Sequence, residues 1–318
     1  MLNKLLEQVK TVAIGGHIRP DGDCVGSCMG LYQYIRDNFA CEADVYLEPI
    51  PEVFRFIKAT EDIQNVIPED KNYDLFICLD CGDAMRLGFS APLFENARTT
   101  FCIDHHISNQ AFAEHNYIVP DASSTSELVY NLLDEEKISY EIAEALYMGI
   151  AHDTGVFQYS CAKPDTFRVA AKLLEKGIDA PTIIDTTYYE KTYAQNKVIG
   201  HAVLKSQLLL GGKCIASYIT KKEMGEFGVT SKDLEGIVSQ LRITKGVEVA
   251  VFMYELEEGT FKVSLRSKRY ANVSAVAQNF GGGGHIRAAG CALQGTPEEI
   301  IEKITEQLAL QINMNEAK

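Results

Sequence analysis

The stretch Thr11–Asp23 reads TVAIGGHIRPDGD and combines the signals of a strand and of a polar loop. The run TVAIGG is short, apolar and ends in glycine, which is typical of a buried strand. The loop HIRPDGD then brings one imidazole and two carboxylates. The following segment, CVGSCMGLYQYIRDNF, has helical spacing, with Val25, Met29, Tyr32 and Ile35 on one face. This order predicts the first unit of a parallel α/β sheet.

Working outward from this stretch, the same alternation continues to about residue 160. The runs ADVYLE, YDLFICLD and TTFCID predict further strands, and SSTSELVYNLLDEEK and EIAEALYMGIAHD predict helices. Either Ser123 or Ser124 is suited to cap the first of these two helices. We therefore expect an N-terminal parallel-sheet domain over residues 1–185.

The rest of the chain predicts a helical linker over residues 186–205 and a smaller C-terminal α/β domain over residues 206–318. Strand signals there (KCIASYIT, VEVAVFMYELE, TFKVSLRS) are mixed with helix signals (SKDLEGIVSQL, ANVSAVAQNF, PEEIIEKITEQLALQI). This irregular order of strands and helices favours a mixed sheet in the second domain.

The composition is that of an ordinary globular protein, with 46% hydrophobic and 23% charged residues among 318. No apolar run approaches the roughly 20 residues of a membrane span, and the start MLNKLLEQVK lacks a signal-peptide core. We therefore expect a cytoplasmic protein without membrane contacts. The nine cysteines lie mostly in apolar segments, which favours buried, reduced thiols. The CxxC pair Cys78 and Cys81 has no second pair, which disfavours a structural zinc site.

The net charge of −14 disfavours a protein that tracks long nucleic acids, since such proteins are usually basic. Residues 240–290 are the exception, with seven Lys or Arg against four Glu. A small or short anionic substrate fits this distribution better than a long polymer.

Four short stretches concentrate carboxylate and imidazole side chains. They are His17-Ile-Arg-Pro-Asp21-Gly-Asp23, Leu79-Asp80-Cys-Gly-Asp83, Asp104-His105-His106 and Ala151-His152-Asp153-Thr154-Gly155. Three of them directly follow strand signals, and the fourth ends a predicted helix. The carboxyl ends of parallel strands form the ligand crevice of a parallel sheet, so we expect these stretches to meet there.

Each stretch taken alone also has a plain structural interpretation. Asp21-Gly-Asp23 is a common turn, Asp83 is suited to cap a helix or hold Arg86, and a single histidine is often a core residue. The four together favour a metal site, because crowded carboxylates repel one another unless cations are present. Oxygen ligands with some imidazole suit Mn²⁺ best, with Mg²⁺, Fe²⁺ or Co²⁺ as alternatives. We expect two divalent ions, the usual arrangement for phosphoryl transfer to water.

Together with GGGGHIRAAG near the C-terminus, these motifs resemble the DHH phosphoesterase superfamily with its DHH-associated C-terminal domain. HIRPDGD, the Asp of CLDCGD, DHH and the Asp of AHDTG resemble motifs one to four, and GGGGH resembles the GGGH motif. The compact length is similar to NrnA-type oligoribonucleases and 3′-phosphoadenosine 5′-phosphate (pAp) phosphatases. RecJ exonucleases carry additional nucleic-acid-binding domains. The resemblance implies an active-site cleft between the two domains and a homodimer.

The resemblance also implies roles for individual residues. His17 and Asp21 would bind one metal, Asp23, His105 and Asp153 the other, and Asp80 would bridge the two. His106 would contact phosphate and protonate the leaving oxygen, with Asp104 orienting a neighbouring histidine. His152 is not implied as a ligand. In the second domain, Arg266, Gly283, Gly284 and His285 would bind substrate, whereas Lys268 and Arg269 are equally consistent with solvated charges.

The pentapeptide GGHIR occurs twice, at Gly15–Arg19 and at Gly283–Arg287. The flanking sequences do not align, so a duplicated unit is not indicated. The first copy is expected to bind metal. The second, which lacks the Lys-Ser/Thr of a P-loop, is interpreted as a glycine loop that binds phosphate through backbone N–H groups.

The expected substrates are very short RNA oligonucleotides, hydrolysed to mononucleotides, and pAp, converted to AMP. The direction of cleavage stays open. One alternative is a hydrolase of linear dinucleotides such as pApA. A second is an inorganic pyrophosphatase, which the GGGH motif disfavours. A third is a non-catalytic nucleotide-binding regulator, which the complete set of ligand residues disfavours.

Overall fold

The structure is a computed structural model that describes residues 2–69 and 71–316. The chain divides into two compact units, Met1–Glu190 and Lys191–Lys318. Among the described residues, no helix is both long enough and apolar enough to cross a membrane. All nine cysteines are free thiols, and all except the half-buried Cys161 are buried, as the sequence predicts.

The first unit is built on a parallel sheet. Its strands are β1 (Thr11–Gly15), β2 (Glu42–Tyr46), β3 (Leu75–Leu79), β4 (Thr99–Asp104) and β5 (His115–Ile118). Within the described part of this unit, the strand order is β2-β1-β3-β4-β5, and every pairing is parallel. The four predicted strands are confirmed. The sequence analysis missed β5, whose side chains are only half-buried and whose sequence HNYI is not a continuous apolar run.

Helices cover both faces of this sheet. They are α1 (Leu2–Leu6), α2 (Gly22–Asn38), α3 (Ala91–Asn96), α4 (Thr125–Leu132), α5 (Tyr140–Asp153), α6 (Pro164–Leu174) and α7 (Ala180–Ile184), which continues into a π-helical turn, Asp185–Tyr189. The predicted cap of α4 is Ser124, whose hydroxyl accepts from the N–H of Glu127. Gly26 allows α2 to approach α5 closely, since a Cβ there would lie 2.5 Å from the carbonyl oxygen of Ala145.

The strand order reverses next to β1, because β2 lies on one side of it and β3 on the other. In open α/β sheets, ligands bind outside the carboxyl ends of the strands at such a switch point. The polar stretches that begin at His17 and Asp80 leave the sheet at the carboxyl ends of β1 and β3, respectively. The topology alone therefore brings the first two motifs together.

The second unit contains the predicted mixed sheet. Its strands are β6 (Gln207–Leu209), β7 (Cys214–Ile219), β8 (Val249–Glu257), β9 (Thr260–Ser267), β10 (Gly283–His285) and β11 (Ala288–Gln294). The order is β10-β11-β9-β8-β7-β6, with β7 and β8 parallel and the other pairs antiparallel. Its helices are α8 (Tyr193–Leu204), α9 (Lys221–Phe227), α10 (Ile237–Arg242), α11 (Val273–Gln278) and α12 (Pro297–Glu316).

Two local predictions for the second unit are wrong. SKDLEGIVSQL is not one helix, because Gly236 adopts a left-handed φ of 88° and separates the 3-10 turn Ser231–Leu234 from α10. The glycine run is not simply a loop, because its last part forms β10 and pairs with β11. Gly282 permits this close pairing, since a Cβ there would lie 2.2 Å from the carbonyl oxygen of Gly290.

Candidate active site

His17 follows β1 and is 4% exposed. Its Nδ1 lies 2.8 Å from the carbonyl oxygen of Ile18, and because a carbonyl only accepts, Nδ1 carries the hydrogen. In the neutral ring, Nε2 therefore keeps its lone pair. This atom lies 3.6 Å from Asp21 Oδ1 and 3.4 Å from Asp80 Oδ2. The backbone thus orients the imidazole so that its metal-binding nitrogen faces two carboxylates.

Asp80 follows β3, is 2% exposed and has a φ of 58°. A non-glycine residue in this left-handed region is strained, and such strain is typical of functional sites. The two carboxylate oxygens face different histidines, since Oδ2 is near His17 and Oδ1 lies 3.6 Å from Nε2 of His105. Oδ1 also accepts a hydrogen bond of 3.0 Å from the hydroxyl of Thr125. The carboxylate therefore lies between two imidazoles in a fixed orientation.

Asp23 lies in the first turn of α2 and is buried. Its Oδ2 accepts from the backbone N–H of Thr125 at 2.6 Å, and its Oδ1 accepts from that of Ser126 at 2.8 Å. Both donors belong to the first turn of α4, where helix N–H groups lack intrahelical partners and the helix dipole favours negative charge. The N-terminus of α4 therefore holds this carboxylate in place.

Asp104, His105 and His106 lie at the end of β4. Oδ1 of the fully buried Asp104 accepts from Nδ1 of His106 at 2.7 Å, and Oδ2 accepts from Nδ2 of Asn109 at 2.7 Å. The expected partner of Asp104 is thus His106. The Asp104 hydrogen bond raises the pKa of His106 despite burial, with further help from the charge of Asp80. Nδ1 of His106 also lies 3.7 Å from Asp80 Oδ1, so this histidine borders the carboxylate cluster.

Asp153 ends α5, and its Oδ2 lies 3.3 Å from Nε2 of His105. The neighbouring His152 is directed elsewhere: its Nε2 lies 2.9 Å from the hydroxyl of Thr187, and its ring packs edge-on against Phe54. It also fills the space beside Gly22, where a Cβ would lie 2.3 Å from its ring. His152 is therefore a packing residue of the first unit, in keeping with the resemblance, which does not imply it as a ligand.

The electrostatics of the cluster show an excess of negative charge. Burial, together with the charges of Asp80 and Asp153, raises the pKa of Asp23 well above its usual range. Burial and the carboxylates of Asp80 and Asp21 raise the pKa of Asp153 to about 8. Burial alone would lower the pKa of His17, but Asp21 and Asp80 outweigh it and raise it to about 11. The site therefore attracts cations.

The donor atoms are close enough to hold metal ions. Among the residues that the structure describes, three groups have ligand atoms within 4.8 Å of one another: His17, Asp21 and Asp80; Asp23, His105 and Asp153; and Asp80, His105 and His106. The first two groups divide the six predicted ligands as the sequence analysis does, and Asp80 also belongs to the third. Carboxylate oxygens and imidazole nitrogens suit divalent ions such as Mn²⁺, so the residues present fit the expected cofactor.

The predicted substrate contacts lie in the second unit. Gly283, Gly284 and His285 form the edge strand β10 and are exposed. Arg266 lies on β9 opposite Ala288 of β11, the strand next to β10. The structure therefore places these residues on β9 and β10, two strands at one end of the second sheet that are separated by β11. Gly284 has a φ of 138°, which other residues rarely adopt.

Other basic residues near the glycine run have structural partners. Lys268 donates to the carbonyl oxygen of Thr244 at 2.8 Å, and Arg287 donates to that of Ala271 at 2.8 Å. Arg269 is exposed, and its backbone N–H donates to the buried carboxylate of Glu248. These contacts give Lys268 and Arg287 roles within the second unit itself.

The sequence analysis missed three residues that hold the carboxylates: Thr125, Ser126 and Asn109. Thr125 contacts both Asp23 and Asp80. The run SSTS by itself predicts only a helix cap, because nothing local shows that its N–H groups meet a carboxylate more than 100 residues earlier. The signal that the sequence offers is a polar helix start that follows β5, after the third motif.

Comparison with known proteins agrees with this geometry. The DHH family, N-terminal domain, matches residues 11–150, and the DHHA1 domain matches residues 211–313. The two matches together span most of the chain and contain every motif except the fourth, residues 151–155. The chain belongs to the DHH superfamily.

Within that superfamily, the chain is similar to NrnA-type members over nearly its whole length. It is 28% identical to the bifunctional oligoribonuclease and PAP phosphatase NrnA of Thermus thermophilus, covering 93% of this chain and 90% of the relative. The Bacillus subtilis protein of the same name is 25% identical, with 91% of each covered. A solved structure of an exopolyphosphatase-related protein from Bacteroides fragilis superposes with a TM-score of 0.89 at 28% identity, covering 97% of this chain and 94% of that one.

Proposed function

We propose that this protein is a metal-dependent phosphoesterase that hydrolyses very short RNA oligonucleotides to mononucleotides and removes the 3′-phosphate of pAp to give AMP. The observation that carries the proposal is the cluster of carboxylates and imidazoles at the switch point of the first sheet. The names of the similar proteins from Thermus thermophilus and Bacillus subtilis support these two activities.

For the cofactor, we propose two divalent ions, with Mn²⁺ preferred. His17 and Asp21 would hold one, Asp23, His105 and Asp153 the other, and Asp80 would contact both through its separate oxygens. When bound, such ions supply positive charge that lowers the pKa of water and neutralises phosphate oxygens. The ring orientation of His17 and the two hydrogen bonds to Asp23 keep these donors in position beforehand.

The proposed role of His106 follows from its hydrogen bond to Asp104. Because Nδ1 donates to Asp104, the proton available for transfer is on Nε2 of the imidazolium. The hydrogen bond to Asp104 raises the pKa of His106, which favours the protonated ring. His106 would donate it to the leaving oxygen, while Asp104 stabilises the positive ring and fixes its orientation.

For the second unit, we propose that Arg266, Gly283, Gly284 and His285 bind a terminal phosphate of the substrate. Arginine suits this role because its planar guanidinium forms two parallel hydrogen bonds with phosphate. The active-site cleft between the domains, the domain boundaries at 185 and 206, the homodimer and the cytoplasmic location remain predictions.

A substrate panel with Mn²⁺ tests the function. The panel contains pAp, pApA, RNA of two to five nucleotides, RNA of about twenty nucleotides, and pyrophosphate. We expect high rates on pAp and short RNA that fall with length. Preferred hydrolysis of pApA would favour the dinucleotide alternative, and hydrolysis of pyrophosphate alone would contradict the proposal.

A matched pair of carboxamide variants controls the panel. Asp80→Asn should abolish every activity, because it removes the carboxylate that faces both histidines. Asp83→Asn changes the same group three residues later, at an exposed position that caps the 3-10 turn Ala84–Ser90. It should leave activity intact. Substantial residual turnover in Asp80→Asn would remove Asp80 from the proposed machinery.

A further inference from the structure

Arg86 follows Asp80 in the chain and contacts the loop that carries His17. It belongs to the 3-10 turn Ala84–Ser90, which begins four residues after Asp80. Its carbonyl oxygen accepts from the N–H of Ile18 at 2.7 Å, which ties the turn to the loop after β1. Arg86 is therefore held at the carboxyl edge of the first sheet, where the carboxylate cluster lies.

The contacts of Arg86 are unusual for a partly buried arginine. The sequence analysis considered that Asp83 holds this side chain, but the Asp83 carboxylate accepts from the backbone N–H of Arg86 instead, at 3.1 Å. The Nε atom is buried and has no hydrogen-bond partner in the part of the chain that the structure describes. A buried donor without a partner destabilises the fold, so its presence calls for a functional explanation.

The loop that leads to Arg86 also lies close to the proposed proton donor. A Cβ on Gly82, between Asp80 and the turn that carries Arg86, would lie 3.5 Å from the Cβ of His106. The Asp104 hydrogen bond raises the pKa of His106, and the charge of Arg86 opposes this rise. Arg86 and His106 therefore lie in the same region of the site.

We propose that Arg86 binds a non-bridging oxygen of the phosphate that is hydrolysed, beside His106. This inference rests on the proposed phosphoesterase function and assigns a contact within the first unit. Guanidinium and phosphate form strong, charge-assisted hydrogen bonds, which supply the partner that Nε otherwise lacks. The carboxylates of Asp80 and Asp23 do not accept from Nε of Arg86, since they are directed at the imidazoles and at the N-terminus of α4.

Replacement of Arg86 by Met or Lys tests the proposal in the Mn²⁺-loaded full-length protein. For Arg86→Met we expect kcat/KM on pAp to fall about 10- to 100-fold, the effect of losing one charged hydrogen bond. Affinity for inorganic phosphate, measured by calorimetry, should fall similarly. Arg86→Lys should retain part of both, and added guanidinium should partly rescue Arg86→Ala.

Two further measurements exclude a structural role. Because Nε has no hydrogen-bond partner among the described residues, Arg86→Met should not lower the melting temperature, and Mn²⁺ affinity should be unchanged. A lower melting temperature together with lost Mn²⁺ binding would assign Arg86 to the scaffold. Arg98→Met is the matched control, since Arg98 is exposed at the opposite edge of the sheet, just before β4. It should behave like the unchanged protein.

The outcomes separate this inference from the proposed function. If the unchanged protein hydrolyses pAp and Arg86→Met does so equally well, the contact is wrong and the function stands. If the unchanged protein hydrolyses nothing, the function is wrong, and phosphate binding alone decides the role of Arg86. Equal phosphate affinity in the unchanged protein and in Arg86→Met would then overturn the inference.

Discussion

The two copies of GGHIR have the same side chains in opposite surroundings. Gly15–Arg19 leaves a central strand of a parallel sheet, and its histidine is 4% exposed. Gly283–Arg287 forms an edge strand and the turn after it, and its histidine is exposed. The first imidazole faces two carboxylates, whereas the second copy is tied by backbone contacts to the start of α11. The comparison teaches that the neighbouring elements, rather than the motif, assign the chemistry of a histidine.

The strongest test of this difference exchanges each histidine for alanine. His17→Ala should lose Mn²⁺ affinity and activity by more than about 100-fold, since even residues behind the ligands cost 10- to 100-fold. His285→Ala should keep Mn²⁺ affinity and instead raise KM. Calorimetric titration with Mn²⁺ and steady-state kinetics on pAp separate the two. Equal loss of metal in both variants would break the comparison.

Arg266→Ala sharpens the assignment of the second copy. If Arg266 binds phosphate beside β10, its removal should raise KM for pAp about 10- to 100-fold at unchanged Mn²⁺ affinity, because one charged hydrogen bond is lost. Kinetics over a range of pAp concentrations gives the answer. A variant that loses metal would show that Arg266 acts on the metal site instead.

A substitution of Thr125 tests the metal site around the first GGHIR copy. Thr125→Val removes the hydroxyl that donates to Asp80 but keeps the N–H that donates to Asp23. We expect Mn²⁺ affinity to fall about 10-fold, the lower end of the effect of losing a residue that orients a ligand. Thr125→Ser retains the hydroxyl and should bind Mn²⁺ normally. Equal affinity for all three proteins in calorimetry would contradict this role.

The smallest expected effect is a change in the free energy of unfolding when the first glycine of each GGHIR copy is replaced. Chemical denaturation measures this change. Gly15→Ala places a Cβ 2.5 Å from the ring of Phe76 and should lower the free energy of unfolding by about 1–3 kcal/mol. Gly283→Ala meets no atom within 4 Å and should change it by less than about 0.5 kcal/mol. A destabilised Gly283→Ala would mean that the second copy is packed as tightly as the first.

Much of the fold could be predicted because its signals are local. Continuous apolar runs mark the buried strands β1, β3 and β4, and helical spacing marks α2 and α5. Strand β5 escaped prediction because it is half-buried and lacks such a run. The break at Gly236 escaped because one glycine within an apolar pattern does not by itself end a helix.

The residues of the candidate site could also be predicted, because carboxylates and histidines at strand ends form recognisable motifs. The residues that hold these side chains in place could not be predicted. Thr125 contacts Asp23 across 102 positions of sequence, and in the part of the chain that the structure describes the buried Nε of Arg86 has no hydrogen-bond partner. Such contacts depend on which elements pack together, and no local pattern records them.

The sequence by itself determined the class of fold, the order of the strands along the chain and the chemical kinds of side chain at their ends. These depend on interactions between residues close in sequence, namely the alternation of apolar runs, glycines and polar loops. The tertiary structure alone decided which GGHIR histidine is buried, which helix start holds the carboxylates and that, among the described residues, Nε of Arg86 is buried without a partner. Those outcomes depend on long-range packing at the switch point, where distant segments share one small volume.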